Sequence, residues 1–395
     1  MKKIIILIIP LLLLTGCYNY RELNELAIAT AVEVDKIEDE FHLLVQVANP
    51  KNQNDASSAN QPQFVTYEAK GKTIQEAFRN IINESSRKIY GMHIQLLIIT
   101  ENIAKNDLES MLDFFFRNTE IRKEFYVVLD KTNNNDDKLL KILTPVTNLS
   151  SQSILNSLET NSKYMGVSNL LTFNDLMDIY LDDNKELVLP TVYMEGNYQE
   201  GETQENLKTT DSTASIYLGN MAIFKDEKLL GYLTKKQSIT INILKNEIKD
   251  ALITHECSEN KYSTEEITLD KTDIKIDLKK KKVSINIKGS GYIAEYGCEE
   301  NLREEKVINK IKDNLNKYIE DEMKKAITTI NQTYNSDIYN FKDMIYKQNP
   351  EYFNKIKNNY YKEVFQKLTY EIKSNIELQG KGNVVGGTYE EEKQT

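Results

Sequence analysis

The chain has 395 residues, with 50 Lys and Arg against 60 Asp and Glu, for a formal net charge of −10. That length suits two or three domains and can bury real cores without a metal or disulfide scaffold. The acidic balance excludes an ordinary nucleic-acid binder, which needs a basic face, while only 15 Gly and 6 Pro exclude collagen-like, proline-rich and linker-like chains.

Met1-Lys2-Lys3 is a short positive region, and residues 4–14 are apolar throughout. Eleven residues span only ~16 Å as a helix, against a hydrocarbon core of ~30 Å, so this is a signal-peptide core. It ends in Leu14-Thr15-Gly16-Cys17, the pattern at which bacterial lipoproteins are cleaved. Residues 1–16 are therefore expected to be removed. Cys17 becomes the first residue, its sulfur carrying a diacylglyceryl group. Two acyl chains supply up to roughly 20 kcal/mol of membrane affinity at ~0.8 kcal/mol per methylene.

Beyond the anchor, residues 26–35 read as a buried strand, followed by a hairpin to a second strand at 41–48. Residues 49–62 are polar and read as a loop. Residues 63–70 alternate as a third strand. Thr73 opens a helix with Glu76 completing a capping-box pattern, and Ile74, Ala77, Phe78, Ile81 and Ile82 form its apolar face. Strands at 93–100 and 124–130 flank a helix at 102–116, which implies right-handed crossovers and a mixed sheet. Helical pieces follow at 150–158 and 173–181, then a strand at 187–194. The polar run 197–212 is the best domain boundary.

The second half has a different pattern. Apolar segments at 214–224 and 229–233 precede long strands at 248–257, 265–278 and 283–293. Ile274, Ile276 and Leu278 alternate with polar residues, as do Val283, Ile285 and Ile287, so one face is wet and the sheet antiparallel. Ile267 and Leu269 fall on the opposite parity from Ile274, which requires a bulge between them. Val307, Ile311, Leu315, Ile319, Met323 and Ile327, each four apart, define a long amphipathic helix over 302–330. Asn349-Pro350 reads as an N-cap and first helical residue, Phe353, Ile356, Tyr360, Val364 and Leu368 as the next buried stripe, and residues 369–378 as a closing strand. The fold class is α+β. An N-terminal mixed α/β region spans 17–200, divisible at 130/131. A C-terminal region spans 201–395, with an antiparallel sheet packed against long amphipathic helices.

No residue pattern points to catalysis, a metal or a cofactor. His42, His93 and His255 form no zinc motif, and there is no phosphate loop or nucleophile elbow. His255, Cys257 and Cys298 lack the spacing and the fourth ligand of a zinc site. A Cys257–Cys298 disulfide is chemically open outside the cytoplasm. In a simple meander, however, the two would sit ~9.6 Å apart, beyond the ~7 Å bridging limit, and only a rearranged order would join them. Lys279 to Lys282 reads as a solvated hairpin tip. The Tyr and Phe residues between Tyr334 and Phe365 read mainly as core.

The run Cys17-Tyr18-Asn19-Tyr20-Arg21-Glu22-Leu23 resembles the mature start of the Ger(x)C spore-germination lipoproteins, the C subunits of nutrient germinant receptors. Their Cys is usually followed by Trp and Asp, where this chain has Tyr18 and Asn19. Arg21-Glu22-Leu23 and Asp35-Lys36 are kept, whereas Glu33 stands where the family often has Gly. Residues 219–225, 230–233, 337–341, Asn349-Pro350, Tyr352-Phe353 and 376–380 follow the family's later segments in order. The resemblance implies a lipid-anchored protein on the outer surface of the spore inner membrane. It would assemble with two integral membrane subunits, one transporter-like, and carry no catalytic activity. Arg21 and Glu22, beside the tether, are the candidate partner contacts. The alternative is a ligand-binding lipoprotein that delivers a small molecule to a transporter; that class has two similar lobes, and these halves differ.

Overall fold

The computed structural model describes residues 25–49, 63–132, 138–147 and 149–378. Cys17, Arg21 and Glu22 lie outside these residues, as do most of the 49–62 loop and the tail from 379. The first strands are β1 (Leu26–Ile37), β2 (Glu40–Ala48) and β3 (Phe64–Gly71), followed by helix α1 (Ile74–Asn80). Thr73 caps α1 by accepting from Glu76 N at 3.1 Å, but the Glu76 carboxylate accepts from Lys72 N and not from the cap residue.

Then come β4 (Lys88–Tyr90), β5 (Leu96–Thr100), α2 (Glu101–Asn106), α3 (Leu108–Arg117) and β6 (Tyr126–Asp130). The helix expected over 102–116 breaks at Asp107 (φ −136°, ψ 22°), whose carboxylate pairs with Lys36. His93 does not open a strand. It ends a 3-10 turn at Gly91–His93 and is exposed, because β5 starts only at Leu96.

Next are α4 (Ser150–Tyr164), α5 (Phe173–Tyr180), β7 (Val188–Leu189), β8 (Thr191–Gly196), α6 (Tyr198–Gly201) and β9 (Ala214–Leu218). The larger sheet runs β3-β2-β1-β5-β6-β8-β9, with β4 beside β1. β1, β5 and β6 are parallel, while β2, β3 and β9 join antiparallel. Its central strands, β1, β5 and β6, are buried on both sides because α1, α2, α3 and α5 cover one face and α4 the other, in separate cores.

The polar run 197–212 is a packed element. Asn206 is fully buried, donating to Leu143 O and Ala214 O at 2.8 and 2.9 Å and accepting from Ala214 N at 2.9 Å. One buried amide thus supplies the partners of a loop that composition alone marks as exposed.

The strand expected at 187–194 is divided by Pro190, and its two pieces enter different sheets. The segment 214–224 is likewise divided after Leu218, where a side chain at Gly219 would sit 2.2 Å from Thr191 Oγ1. Beyond it β10 (Ala222–Lys225) and β11 (Lys228–Tyr232) form a three-stranded sheet in the order β11-β10-β7.

Helix α7 (Lys235–Lys245) has no counterpart in the sequence reading. Its Ile239, Ile241 and Ile243 alternate like a strand, yet every residue from Ser238 to Leu244 is buried. The reciprocal Thr234–Gln237 capping box marks its start.

The C-terminal sheet holds β12 (Asp250–Ser258), β13 (Lys261–Asp277), β14 (Lys282–Tyr296) and β15 (Thr369–Leu378) in sequence order. Three strands are antiparallel, and β15 joins β14 in parallel after the helical crossover. The expected bulge falls between Leu269 and Lys271. Helix α8 (Glu305–Tyr334) lays Ile311, Leu315, Ile319, Met323, Ile327 and Ile330 on the sheet. Short helices α9 (Phe341–Gln348), α10 (Pro350–Ile356) and α11 (Tyr360–Glu363) close the core; Asn349 caps α10 through Tyr352 N at 3.0 Å.

Cys257 and Cys298 are bonded, with Cα atoms 6.4 Å apart. The strand order is the simple meander, so the ~9.6 Å expectation fails for a local reason. Cys257 is the extra residue of a bulge between Glu256 and Ser258. Beyond β14, Gly297 N donates to Tyr262 O at 2.9 Å, which folds the chain over the end of the middle strand.

Candidate functional site

Residues 219–225 and 230–233, which follow the family's segments, supply two strands of the three-stranded sheet β11-β10-β7. Ala222, Phe224, Leu187 and Leu189 point into the core of the larger sheet, whereas Met221, Ile223 and Val188 point into the core of the C-terminal sheet. This small sheet is therefore a wall shared by the two halves. Continuous apolarity from Met221 to Phe224 follows, since neither face meets water.

The end of α8 is locked onto that wall. Ser336 Oγ donates to Phe224 O at 2.8 Å, Lys225 Nζ to Asn335 O at 2.7 Å, and Tyr334 Oη to Tyr232 O at 2.8 Å. Gly231 (φ 157°) leaves room for the Tyr334 ring, which would lie 3.1 Å from any side chain there. The Lys225 ammonium sits 3.9 Å from the centre of the Tyr361 ring, and Tyr361 Oη donates to Glu186 Oε1 at 2.7 Å.

At the centre is Asp337, fully buried, accepting from Phe341 N, Lys342 N and Tyr360 Oη at 3.2, 2.6 and 2.7 Å. Burial pushes its carboxyl up to about 7 despite those donors. Tyr339, Phe341, Tyr360 and Phe365 pack around it, so the core reading of the aromatic run holds for them, while Tyr346 is exposed.

A second buried polar cluster lies at the carboxyl ends of β1, β5 and β6, the edge where open α/β sheets usually bind ligands. Here protein groups fill it. Lys138 Nζ reaches Asp35 Oδ2 at 3.1 Å, Thr100 Oγ1 donates to Asp35 Oδ1 at 2.6 Å, and Thr132 N to Asp130 Oδ1 at 2.7 Å. Glu33 is pushed up to about 8 by burial, against the charge of Lys138 3.9 Å away; Asp130 is pushed up to about 6, also by burial.

Because both folded-state values lie above the unfolded ones near 4, the native state holds protons that the unfolded chain releases. Their contribution to stability is therefore full below pH ~4 and lost as pH rises through ~6 for Asp130 and ~8 for Glu33, at up to about 1.4 kcal/mol per unit for each group. Glu33→Gln is expected to flatten the fall in melting temperature between pH 5 and pH 8, followed by circular dichroism. Parallel curves for variant and parent would contradict this.

Two hollows remain. An open cleft of about 760 Å³ beside the shared wall is lined by Asp182, Glu186, Asp226, Lys342 and Asn358 among others. It lacks the apolar lining usual for small-molecule sites. An apolar hollow of about 190 Å³ lies between α7, β12 and α8, below the usual ~300 Å³. Among the described residues no group of His, Cys, Asp or Glu side chains is arranged to hold a metal ion, and no helix is long and apolar enough to cross a membrane.

The structure thus defines a class: a non-repeating α+β body whose two cores share one sheet wall. Residues 19–194 match the family described as spore germination protein N-terminal domain, and residues 219–382 match spore germination B3/GerAC like, C-terminal. Spore germination protein KC of Bacillus subtilis (strain 168) is 27% identical over 389 residues, covering 96% of this chain and 95% of the relative. Spore germination protein B3 of the same strain is 22% identical over 388 residues, with 97% and 98% covered. The crystal structure of the GerBC protein superposes with a TM-score of 0.52 at 16% identity, covering 88% of this chain and 97% of that one. The chain belongs to the Ger(x)C family of spore germination proteins.

Proposed function

We propose that this chain is the lipid-anchored C subunit of a nutrient germinant receptor, acting on the outer surface of the spore inner membrane beside two integral membrane subunits, one transporter-like. Its role is assembly or signal transmission and not catalysis. The observation that carries the reading is the family match over both halves, joined to the Leu14-Thr15-Gly16-Cys17 pattern that precedes the matched region. Anchored at Cys17, the body gains a high effective concentration at its partners, so weak contacts suffice to hold a complex. Arg21 and Glu22, a few residues from the anchor, are assigned to the partner contact. The regions 17–200 and 201–395 are assigned as the two domains, with β9 of the second completing the sheet of the first and the shared wall between their cores.

The test is labelling and capture from spores. Wild-type chain is expected to incorporate radioactive palmitate and to retain both membrane subunits in mild detergent, Cys17→Ala to lose the label, and Arg21→Glu with Glu22→Arg to keep the label while retaining far less of the subunits. A label that survives Cys17→Ala refutes the anchor. Saturable binding of an amino acid or sugar by the chain alone would favour delivery to a transporter instead.

A further inference from the structure

We propose that the edge of the larger sheet where β1 begins is a membrane-contact face: Ile82 and Phe116 enter the headgroup layer of an anionic bilayer, and the basic residues around them hold lipid phosphates. The proposal rests on the lipid anchor at Cys17 and adds to it the side of the body that the anchor turns toward the membrane.

Topology gathers this face from separate segments. β1, β5 and β6 run parallel, so their starts face the same end of the sheet: Leu96 and Tyr126 lie level with Ala31, and the first residues of β1, from Leu26, reach beyond them beside β4. Helices α2 and α3 leave the far end of β5 and return to the start of β6, which brings Phe116 and residues 117–124 to that edge. α1 likewise leaves the end of β3, parallel in direction to β1, and returns through Ile81–Asn83 to β4, whose Lys88 pairs with Leu26. The Lys88–Glu120 ion pair ties the two returning segments together.

Two features single out this edge. Ile82 and Phe116 are 50% and 55% exposed, although each extends a helix face that is otherwise buried. In addition, residues 79–88 and 117–124 carry six Arg or Lys against three Glu, in a chain whose net charge is −10. Arg79 and Arg87 have no carboxylate partner among the described residues. Exposed apolar side chains on segments rich in arginine and lysine are the chemistry of an interfacial contact with anionic lipid.

Reach supplies the geometry. Nine residue steps separate Cys17 from Leu26, at most ~32 Å when fully extended. A compact chain of this length has a radius of gyration of about 21 Å, so the tether is shorter than the body is wide. The start of β1 is therefore held near the headgroups, and the far edge is held away. The acidic remainder is repelled by an anionic surface, which favours the same orientation.

The chain contains no Trp, so single tryptophans report directly. Full-length lipidated Phe116→Trp, Ile82→Trp and Leu230→Trp chains are reconstituted into phosphatidylglycerol/phosphatidylethanolamine vesicles, with or without brominated acyl chains. Leu230 is exposed on β11, two residues from Tyr232, whose hydroxyl donates to Glu101 at the opposite edge of the sheet. Emission at positions 116 and 82 is expected to be quenched by about half or more, and that at position 230 by less than about a tenth. Adding Arg87→Glu to Phe116→Trp is expected to cut the quenching at least twofold.

Unquenched emission at positions 116 and 82 in vesicles that still float with bound protein would overturn the contact face and leave the anchor intact. Protein that fails to float would overturn the anchor itself. Burial of position 116 that appears only after the membrane subunits are added would overturn the lipid contact in favour of a protein surface.

Discussion

Asp337→Ala is expected to lower folding stability by about 4 kcal/mol, because it strands two buried N–H donors and the Tyr360 hydroxyl, each costing about 1–3 kcal/mol when unpartnered. For a chain of this size the melting temperature falls by about 5 °C. Asp337→Asn is expected to lose less than half as much, since an amide oxygen in the place of Oδ2 still accepts from Lys342 N and Tyr360 Oη and only Phe341 N loses its acceptor. The pH dependence separates the two effects. The Asp337 carboxyl is raised to about 7, so wild type loses stability from pH ~4 up to ~7, and the asparagine variant does not. Thermal unfolding of the three chains at pH 5 and pH 8 checks this. An alanine variant as stable as wild type would mean that this part of the C-terminal core is held by apolar packing alone.

The second large effect belongs to the disulfide. The bond closes a loop across 41 positions, for which loss of unfolded-chain entropy predicts about 4 kcal/mol of stabilisation. Cys298→Ser is expected to destabilise the C-terminal sheet by up to that amount and to expose the β12–β13 hairpin end first. Hydrogen exchange localises the loss: amides of residues 250–258 and 290–296 should lose protection, while those of β5 and β6 keep it. Uniform loss over both halves would show that the two cores unfold as one unit. Mobility on a gel unchanged by reductant would contradict the bond.

Long periodic elements were legible. The ladder from Val307 to Ile330 and the wet-faced strands around Ile276 and Ile285 repeat over enough turns or pleats for period to decide the element. The bulge after Leu269 was legible too, because a parity change along one strand has few other solutions. Short apolar runs were not. Residues 187–194 read as one strand and 214–224 as one apolar segment, but Pro190 and Gly219 divide them between two sheets, and a run buried on both faces carries no periodicity to show it. α7 was hidden for the same reason, its isoleucines alternating while all its sides are buried. The disulfide was obscured by a bulge that strand spacing cannot foresee.

The functional reading divides along similar lines. The lipid attachment point and the family resemblance rest on local runs of sequence and were visible there. The shared wall was not, because its members lie far apart: Leu187, Phe224, Ser336 and Tyr361 span the distance between two sheets and meet only in the fold. Asp337 belongs to a segment that follows the family without an assignable task and Tyr360 reads as part of a buried stripe; the structure joins the two inside the C-terminal core. Glu33 shows in the sequence only as a departure from the family's Gly and Asp130 only as the end of a strand, since the partners that bury a carboxylate come from distant segments.

The most direct test of the proposed receptor role is nutrient-triggered release of dipicolinate from spores lacking this chain, restored with wild type, Cys17→Ala or Asp337→Ala. The account predicts that deletion abolishes release for the receptor's nutrient, that wild type restores it, and that Cys17→Ala does not. Release that persists undiminished in the deletion strain, with no other receptor for that nutrient present, would contradict the account.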